Sequence, residues 1–272
     1  MNKLTFMDFF SGIGGFRIGL ERAGFECVGY CDNDEYANKL YRNYFNTEKE
    51  HFFNDITTIN TSELPDFDIF CGGFPCQSFS IAGKRRGFED TRGTMFFEVA
   101  RILRDKRPRY FILENVKGLL NHDGGKTFQT ILKILSDIGY QTQWQLLNSK
   151  FFGVPQNRER IIIIASLKGT FDFEVLKKEE RHPLKDFLDT DGDFEYLDPS
   201  EYTLLTETHR QPVSGLIFAG YRNKSIRKVG VRPGTEHLSR VHKQPNRIYS
   251  VEGIHPTLPS QESSGRFLDR KS

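Results

Sequence analysis

Cys76 is the side chain in this sequence best placed for nucleophilic chemistry. It stands in Gly72-Gly73-Phe74-Pro75-Cys76-Gln77, directly after the apolar run Phe67–Cys71, which reads as a strand. Two glycines and a proline at a strand end put the thiol on a stiff, exposed turn. The thiolate is the nucleophile, and an unperturbed thiol with a pKa of about 8.5 needs activation by its surroundings. Cys27, Cys31 and Cys71 lie in or near strands and read as buried structural cysteines. The cysteine spacings, with no His pair nearby, do not fit a zinc site, so no metal is expected.

Glu114-Asn115 follows the apolar strand Tyr110–Leu113. A carboxyl at the end of a buried strand is costly unless it is paired or protonated. A protonated one can donate its proton; a capping or ion-paired Glu is the alternative. Gln156-x-Arg158-x-Arg160 places two arginines on one side of a strand, which suits an anion or carboxylate clamp, or an edge-strand charge pair.

Asp8–Gly15, read D-F-F-S-G-I-G-G, sets three glycines in a strand-to-helix turn. Glycine admits φ > 0 and close backbone approach, and the next helix offers free N–H groups to a ligand; a plain tight turn is the other reading. The spacing is not G-x-G-x-x-G and no Walker lysine follows, so a P-loop is not expected. Asp32, at the end of the next strand, is placed either to accept hydrogen bonds from ribose hydroxyls or to cap a helix. Asp55, after the extended Phe52–Asn54, could meet an adenine amino group or simply hold a turn.

These residues need elements to position them. Strands are expected over 4–10, 26–30, 67–71, 110–113, 141–147 and 160–166. Helices are expected from Phe16 to Ala23 and over 36–44, 94–105 and 127–138. Alternating strands and helices imply βαβ units: an α/β fold with a mainly parallel sheet and helices on both faces. Ligands then sit beyond the C-terminal strand ends. The glycine turn, Asp32, the Cys76 turn and Glu114 all fall there.

A length of 272 residues fits one large domain or one with a smaller companion. With 37% hydrophobic and 27% charged residues, the chain reads as globular rather than disordered. Ile161–Ile164 is the longest purely aliphatic run, which excludes a transmembrane helix, and no signal-peptide pattern opens the sequence, so a cytoplasmic protein with reduced thiols is expected. The net charge of +2 hides an asymmetry: residues 201–272 hold 12 Lys and Arg against 6 Asp and Glu, whereas the rest is net acidic. A basic C-terminal quarter suits a polyanion, although a solvated surface would look the same. The turn-rich, acidic stretch before it reads as a linker. The expected division is a catalytic and cofactor-binding domain over 1–168, a linker over 169–199 and a further region over 200–272.

Taken in order, D-F-F-S-G-I-G-G-F, G-F-P-C-Q-S-F-S, D-T-R-G-T-M-F-F, E-N-V-K-G and Q-N-R-E-R resemble the bacterial DNA (cytosine-5) methyltransferase family. The resemblance spans roughly residues 4–167 and resumes at Arg247–Phe267, where R-I-Y-S-V-E-G-I-H-P-T-L resembles the end of that family's target-recognition region. It implies a Rossmann-like S-adenosylmethionine-dependent methyltransferase sheet with a small, partly β target-recognition region. By resemblance, Cys76 attacks carbon 6 of cytosine, Glu114 engages ring nitrogen 3, and Arg158 and Arg160 orient the base and Glu114. S-adenosylmethionine would lie over Phe10, Ser11, Gly12, Ile13 and Gly14, with Asp32 on the ribose, Asp55 and Ile56 near the adenine and Met95 beside it. Asn33 departs from the family, which often has a bulky residue there that stacks on adenine.

The implied partner is double-stranded DNA, with the base flipped out of the helix. Ser78–Met95 resembles the mobile loop that closes on the flipped nucleotide, through Ser80, Lys84, Arg85, Arg86 and Arg92. Sequence reading would fall to the basic region: Arg222, Lys224, Arg227, Lys228, Arg232 and Arg240, with Thr257 beyond. An RNA-methylating branch of the family carries a late C-F-T segment, which this sequence lacks. The family's usual R-x-L-x-x-x-E-like and G-N-S-V-like segments do not follow the T-L element either. Three expectations arise: a split enzyme with a small second chain, a truncated form of weak activity, or a non-catalytic DNA-binding relative. A cognate restriction endonuclease is a further expected partner, and no membrane is.

Overall fold

Alternation along the first strand decides the layering. The computed structural model describes residues 3–75, 95–192, 198–223, 242 and 246–257, and the backbone of 266–268. Thr5–Phe9 forms β1, buried after its first residue. Successive side chains of a strand face opposite ways. Met7 and Phe9 therefore join a large core with Val99 and Leu103 of α3 (Met95–Lys106) and Ile131 and Leu135 of α4 (Lys126–Asp137). Phe6 instead packs with Leu20 of α1 (Gly15–Arg22). Asp8, on that same face, is reached by Tyr41 of α2 (Glu35–Tyr44). Helices cover both faces of β1, and each fully buried Leu, Val or Phe contributes roughly 1.5–3 kcal/mol.

The further strands of this layer are β2 (Glu26–Cys31), β3 (His51–Phe53), β4 (Ile69–Gly73), β5 (Tyr110–Val116), β6 (Gln141–Asn148) and β8 (Glu159–Ser166), with the short β7 (Gln156–Asn157) lying outside it. Among the described residues they form one seven-stranded sheet in the order β3-β2-β1-β4-β5-β8-β6. β1 pairs in parallel with both β2 and β4, so the winding direction switches between β1 and β4. A crevice opens at such a switch point, beyond the C-terminal strand ends. β4 and β5 are parallel, whereas β8 runs antiparallel to β5. This reversal matters for the site: it brings the N-terminal end of β8 to the sheet edge where β4 and β5 end.

The chain divides into two compact units, residues 1–147 with 160–175, and residues 148–159 with 176–272. Residues 169–175 thus group with the first unit, and the Gln156 segment clusters with the second. The reason is local pairing. β7 pairs in parallel with β12 (His255–Pro256), and His255 N–H donates to the Pro155 carbonyl. The second unit also holds β9 (Tyr202–Arg210), β10 (Ile217–Arg222), β11 (Arg247–Ser250) and β13 (Arg266–Leu268), in a sheet ordered β13-β11-β10-β9. Leu216, Phe218 and Tyr249 form its small core. Among the described residues no helix is long and apolar enough to cross a membrane.

Candidate active site

Glu114 and Arg160 meet at the end of the first unit's sheet. Arg160 Nε lies 2.7 Å from Glu114 Oε1, and each side chain is about a quarter exposed (22% and 24%). Glu114 lies within β5, which runs on to Val116, and not after a strand ending at Leu113. Of the two ways to hold a carboxyl there, pairing is the one observed. Register explains the meeting: Val116 stands opposite Arg160 across the β5–β8 ladder, with Glu114 opposite Ile162.

The paired glycines belong to β4 itself rather than to a turn after it. A Cβ on Gly72 would stand 2.6 Å from the Phe9 carbonyl oxygen, and one on Gly73 would stand 3.0 Å from Glu114 Oε2. Gly73 leaves room for the Glu114 carboxylate, and Gly72 lets β1 and β4 close up at the switch point.

Asn115 has a role that its sequence position did not reveal. It alternates with Phe111 and Leu113 on the buried face of β5. Its Nδ2 donates to the Phe74 carbonyl at 2.8 Å, and its Oδ1 accepts from the Val116 N–H. Asn115 thereby ties down the backbone two residues before Cys76. An amide at an apolar register position was the available signal, because a buried amide must find partners. Cys76, Ser80, Lys84, Arg85, Arg86 and Arg92 lie outside the described residues.

The two arginines do not share one strand. The ladder breaks at Arg158, between β7 and β8, and Arg158 and Arg160 fall in different units. The break is held by Asn148, whose Oδ1 accepts from the N–H groups of both Lys150 and Arg158 while its Nδ2 donates to Asn157 Oδ1. Thr257 Oγ1 donates to the Asn157 carbonyl, so that hydroxyl proton ties the late segment to this loop.

At the end of β1 the chain takes unusual backbone angles. Phe10 has φ 51°, rare for a bulky residue, and Gly12 and Gly14 have φ 52° and 89°. A Cβ on Gly14 would fall 2.2 Å from the Phe45 ring, so only glycine fits there. Ser11 is buried, and among the described residues its Oγ has no hydrogen-bond partner. A Cβ on Gly12 would meet nothing within 4 Å, and Ile13 is 66% exposed. An orphaned hydroxyl under an open glycine loop fits a polar ligand. Asp32 does not cap α2; Asp34 does, accepting from the Tyr36 and Ala37 N–H groups. Asp32 Oδ2 accepts from the Gly12 N–H at 2.8 Å, which ties the glycine loop to the end of β2. Asn33 is exposed. Asp55 caps the short 3-10 turn Ile56–Thr58, and the Ile56 side chain is buried in the core, which leaves only its backbone for a ligand. Phe10 and Met95 are partly buried and pack on the same core.

Cys27, Cys31 and Cys71 are free and buried. Burial pushes the thiols of Cys27 and Cys31 up to about 12 and that of Cys71 well above its usual value, so these three stay protonated and inert. Beside Cys71, the fully buried Asp8 accepts from Tyr41 Oη at 3.2 Å and from Cys71 Sγ at 3.6 Å. Burial raises its carboxyl to about 7, against these two hydrogen bonds and the Arg17 charge.

Of the basic residues expected to read DNA, Arg222 is described. Its guanidinium pairs with Glu201 and lies 6.0 Å from the Tyr202 ring centroid, so it is engaged within its own sheet. Lys224, Arg227, Lys228, Arg232 and Arg240 lie outside the described residues.

A family model described as C-5 cytosine-specific DNA methylase matches residues 4–267. The orphan methyltransferase M.Rho11sI of Bacillus phage rho11s is 38% identical over 97% of this chain and 59% of its own length. The type II methyltransferase M.HhaI of Haemophilus parahaemolyticus is 38% identical over 95% of this chain and 74% of its own. This chain therefore spans about three fifths of the phage relative and three quarters of the Haemophilus one. Among solved structures, a Spodoptera frugiperda DNMT2 mutant shares the fold with a TM-score of 0.57, at 24% identity over 70% of this chain and 61% of that one.

Proposed function

Because the chain belongs to the C-5 cytosine-specific DNA methylase family, we propose that it transfers a methyl group from S-adenosylmethionine to carbon 5 of a cytosine flipped out of duplex DNA. One observation carries the reading: the Glu114–Arg160 pair stands at the sheet end where Phe74, tethered by Asn115, leads to Cys76. An acid held by a cation, at a sheet end from which the chain leads to a nucleophile, suits addition to a pyrimidine ring.

In this mechanism the Cys76 sulfur bonds to carbon 6 as the electron pair of the ring double bond moves toward carbon 5. Glu114 hydrogen-bonds or protonates the ring nitrogen 3 edge, so negative charge does not accumulate on the ring, and a proton placed there returns to Glu114 as the product forms. Arg160 holds the carboxyl in place, and Arg158 orients the base. Bound S-adenosylmethionine supplies an electrophilic methyl group at its sulfonium. Loss of the carbon 5 proton to a base then restores the double bond and expels Cys76 as thiolate. Ser11, Gly12 and Gly14 would hold the cofactor, flanked by Phe10 and Ile13. Asp32 would meet the ribose, Asp55 and the Ile56 backbone the adenine, and Met95 would lie alongside. Ser80, Lys84, Arg85, Arg86 and Arg92 would contact the nucleotide and phosphates, and the basic stretch from Lys224 to Arg240 would read the site.

The proposal includes a cytoplasmic location and a restriction-modification setting, the latter supported by the type II relative. Its test is methyl transfer to duplex DNA by the 272-residue chain, with and without a candidate second chain. The Cys76→Ser variant must lose covalent trapping on DNA containing 5-fluorocytosine, and retained trapping refutes the nucleophile.

A further inference from the structure

We propose that Lys178 and Arg181, gathered at the ring of Phe151, form a docking site for a backbone phosphate of the DNA. The site rests on the functional reading above and names where that partner would touch the second unit outside the basic stretch.

The local fold starts from Phe151, the last residue of the short turn Ser149–Phe151 that follows β6. Its carbonyl accepts from the Glu179 N–H at 2.8 Å, which lays residues 178–181 against it. Three cations surround the ring. The Arg181 guanidinium carbon is 4.8 Å from its centroid, Lys150 Nζ 5.1 Å and Lys178 Nζ 5.8 Å. An aromatic face attracts cations at these distances. Three like charges around one ring also repel one another.

The three are not equivalent. Lys150 is buried and donates to the Val213 and Ser214 carbonyls, so it forms a fixed floor. Burial and, after it, the Arg181 charge lower the pKa of its ammonium group against the opposing charge of Glu159. Lys178 and Arg181 are exposed, and among the described residues neither stands within ion-pair distance of a carboxylate. Glu179, between them in sequence, turns toward Gly153. A Cβ there would fall 2.5 Å from Glu179 Oε2. Glu180 is exposed.

Among the described residues, two exposed cations, oriented by a ring and a backbone hydrogen bond, are thus left without a counterion. A phosphate oxygen placed between them would relieve their repulsion. Arginine offers a planar fork for phosphate oxygens and lysine a point charge. The surface is open, which suits a phosphate of a polymer held at several points better than a free anion. The sequence alone assigned this stretch to an acidic linker, because net charge cannot report which side chains the fold gathers.

The test compares the full chain with its Lys178→Gln/Arg181→Gln variant in duplex DNA binding over a series of salt concentrations. A control variant, Lys39→Gln/Lys133→Gln, loses the same charge on exposed helix faces of the first unit. The expected result is a roughly uniform loss of affinity of about tenfold across DNA sequences, with a salt slope shallower by about 1 to 2. The control should bind as the parent does, and Arg181→Lys should keep most of the affinity. Equal binding by parent and variant overturns the site while leaving the functional reading intact. An equal loss in the control overturns it as well, as a mere effect of net charge. A parent chain that binds no duplex overturns the functional reading and the site together.

Discussion

Glu114 shows how much chemistry one contact can organise. Its carboxylate meets Arg160 at 2.7 Å, and Gly73 leaves the space it occupies. Glu114→Gln keeps the shape and an acceptor for Arg160 but removes the proton donor. Single-turnover methyl transfer is expected to fall about 10²–10⁴-fold with little change in melting temperature. Asp8 makes a second prediction at this scale. Burial raises its carboxyl from 3.8 to about 7 in the folded chain, so the folded state holds a proton there that the unfolded state releases near pH 4. The resulting stabilisation is fully present below about pH 4 and is lost as pH rises through 7. Relative to Asp8→Asn, the parent chain should lose roughly 4 kcal/mol between those limits, at about 1.4 kcal/mol per pH unit. Urea unfolding of both chains from pH 4 to 8 reads it; a flat difference would remove Asp8 as the source. Glu114 stood out in the sequence by type, since a carboxyl at the end of an apolar strand is costly, whereas Asp8 passed as part of the glycine motif. Arg160 was expected to orient Glu114 through the family resemblance, whereas nothing in the sequence pointed to Tyr41 as the partner of Asp8.

At the scale of elements, the strands and helices were legible because apolar periodicity is a local property. β1, β2, α2, α3 and α4 fall within a residue or two of expectation. The ends of elements were less legible. β4 and β5 run two to three residues further than their apolar runs, since pairing between them continues through Gly72, Gly73 and Glu114, and pairing of β5 with β8 continues through Asn115 and Val116. Gly72→Ala and Gly73→Ala should therefore separate stability from activity. Gly72→Ala drives a methyl into the Phe9 carbonyl and should cost about 1–3 kcal/mol of stability. Gly73→Ala meets only the tip of a side chain, so it should fold almost normally and lose methyl transfer. Thermal melting beside a rate assay distinguishes them. Asn115→Ala leaves the Phe74 carbonyl without its buried donor and should cost about 1–3 kcal/mol. It should also slow formation of the trapped Cys76 adduct, as read by a time course on 5-fluorocytosine DNA.

At the scale of the whole molecule, residues 148–159 decide what folds with what. They are embedded in sequence between β6 and β8, yet they pair with His255–Pro256 and hold the Val213 and Ser214 carbonyls through Lys150. A fragment ending at Lys168, the boundary expected from the sequence, strips these residues of their partners. Limited proteolysis of that fragment is expected to cut within 148–159, where the full chain resists; equal resistance would contradict the assignment to the second unit. The sequence by itself determined the α/β class, the order of the motifs and the candidates for reactive side chains, because periodicity and residue type are local. Only the tertiary structure decided that β8 reverses to bring Arg160 onto Glu114, that the arginine-bearing segment breaks at Arg158, and that Lys178 and Arg181 gather at Phe151. Those outcomes depend on which distant strands pair and in what register. Burial and ladder geometry settle that between segments whose separate spacings carry no record of each other.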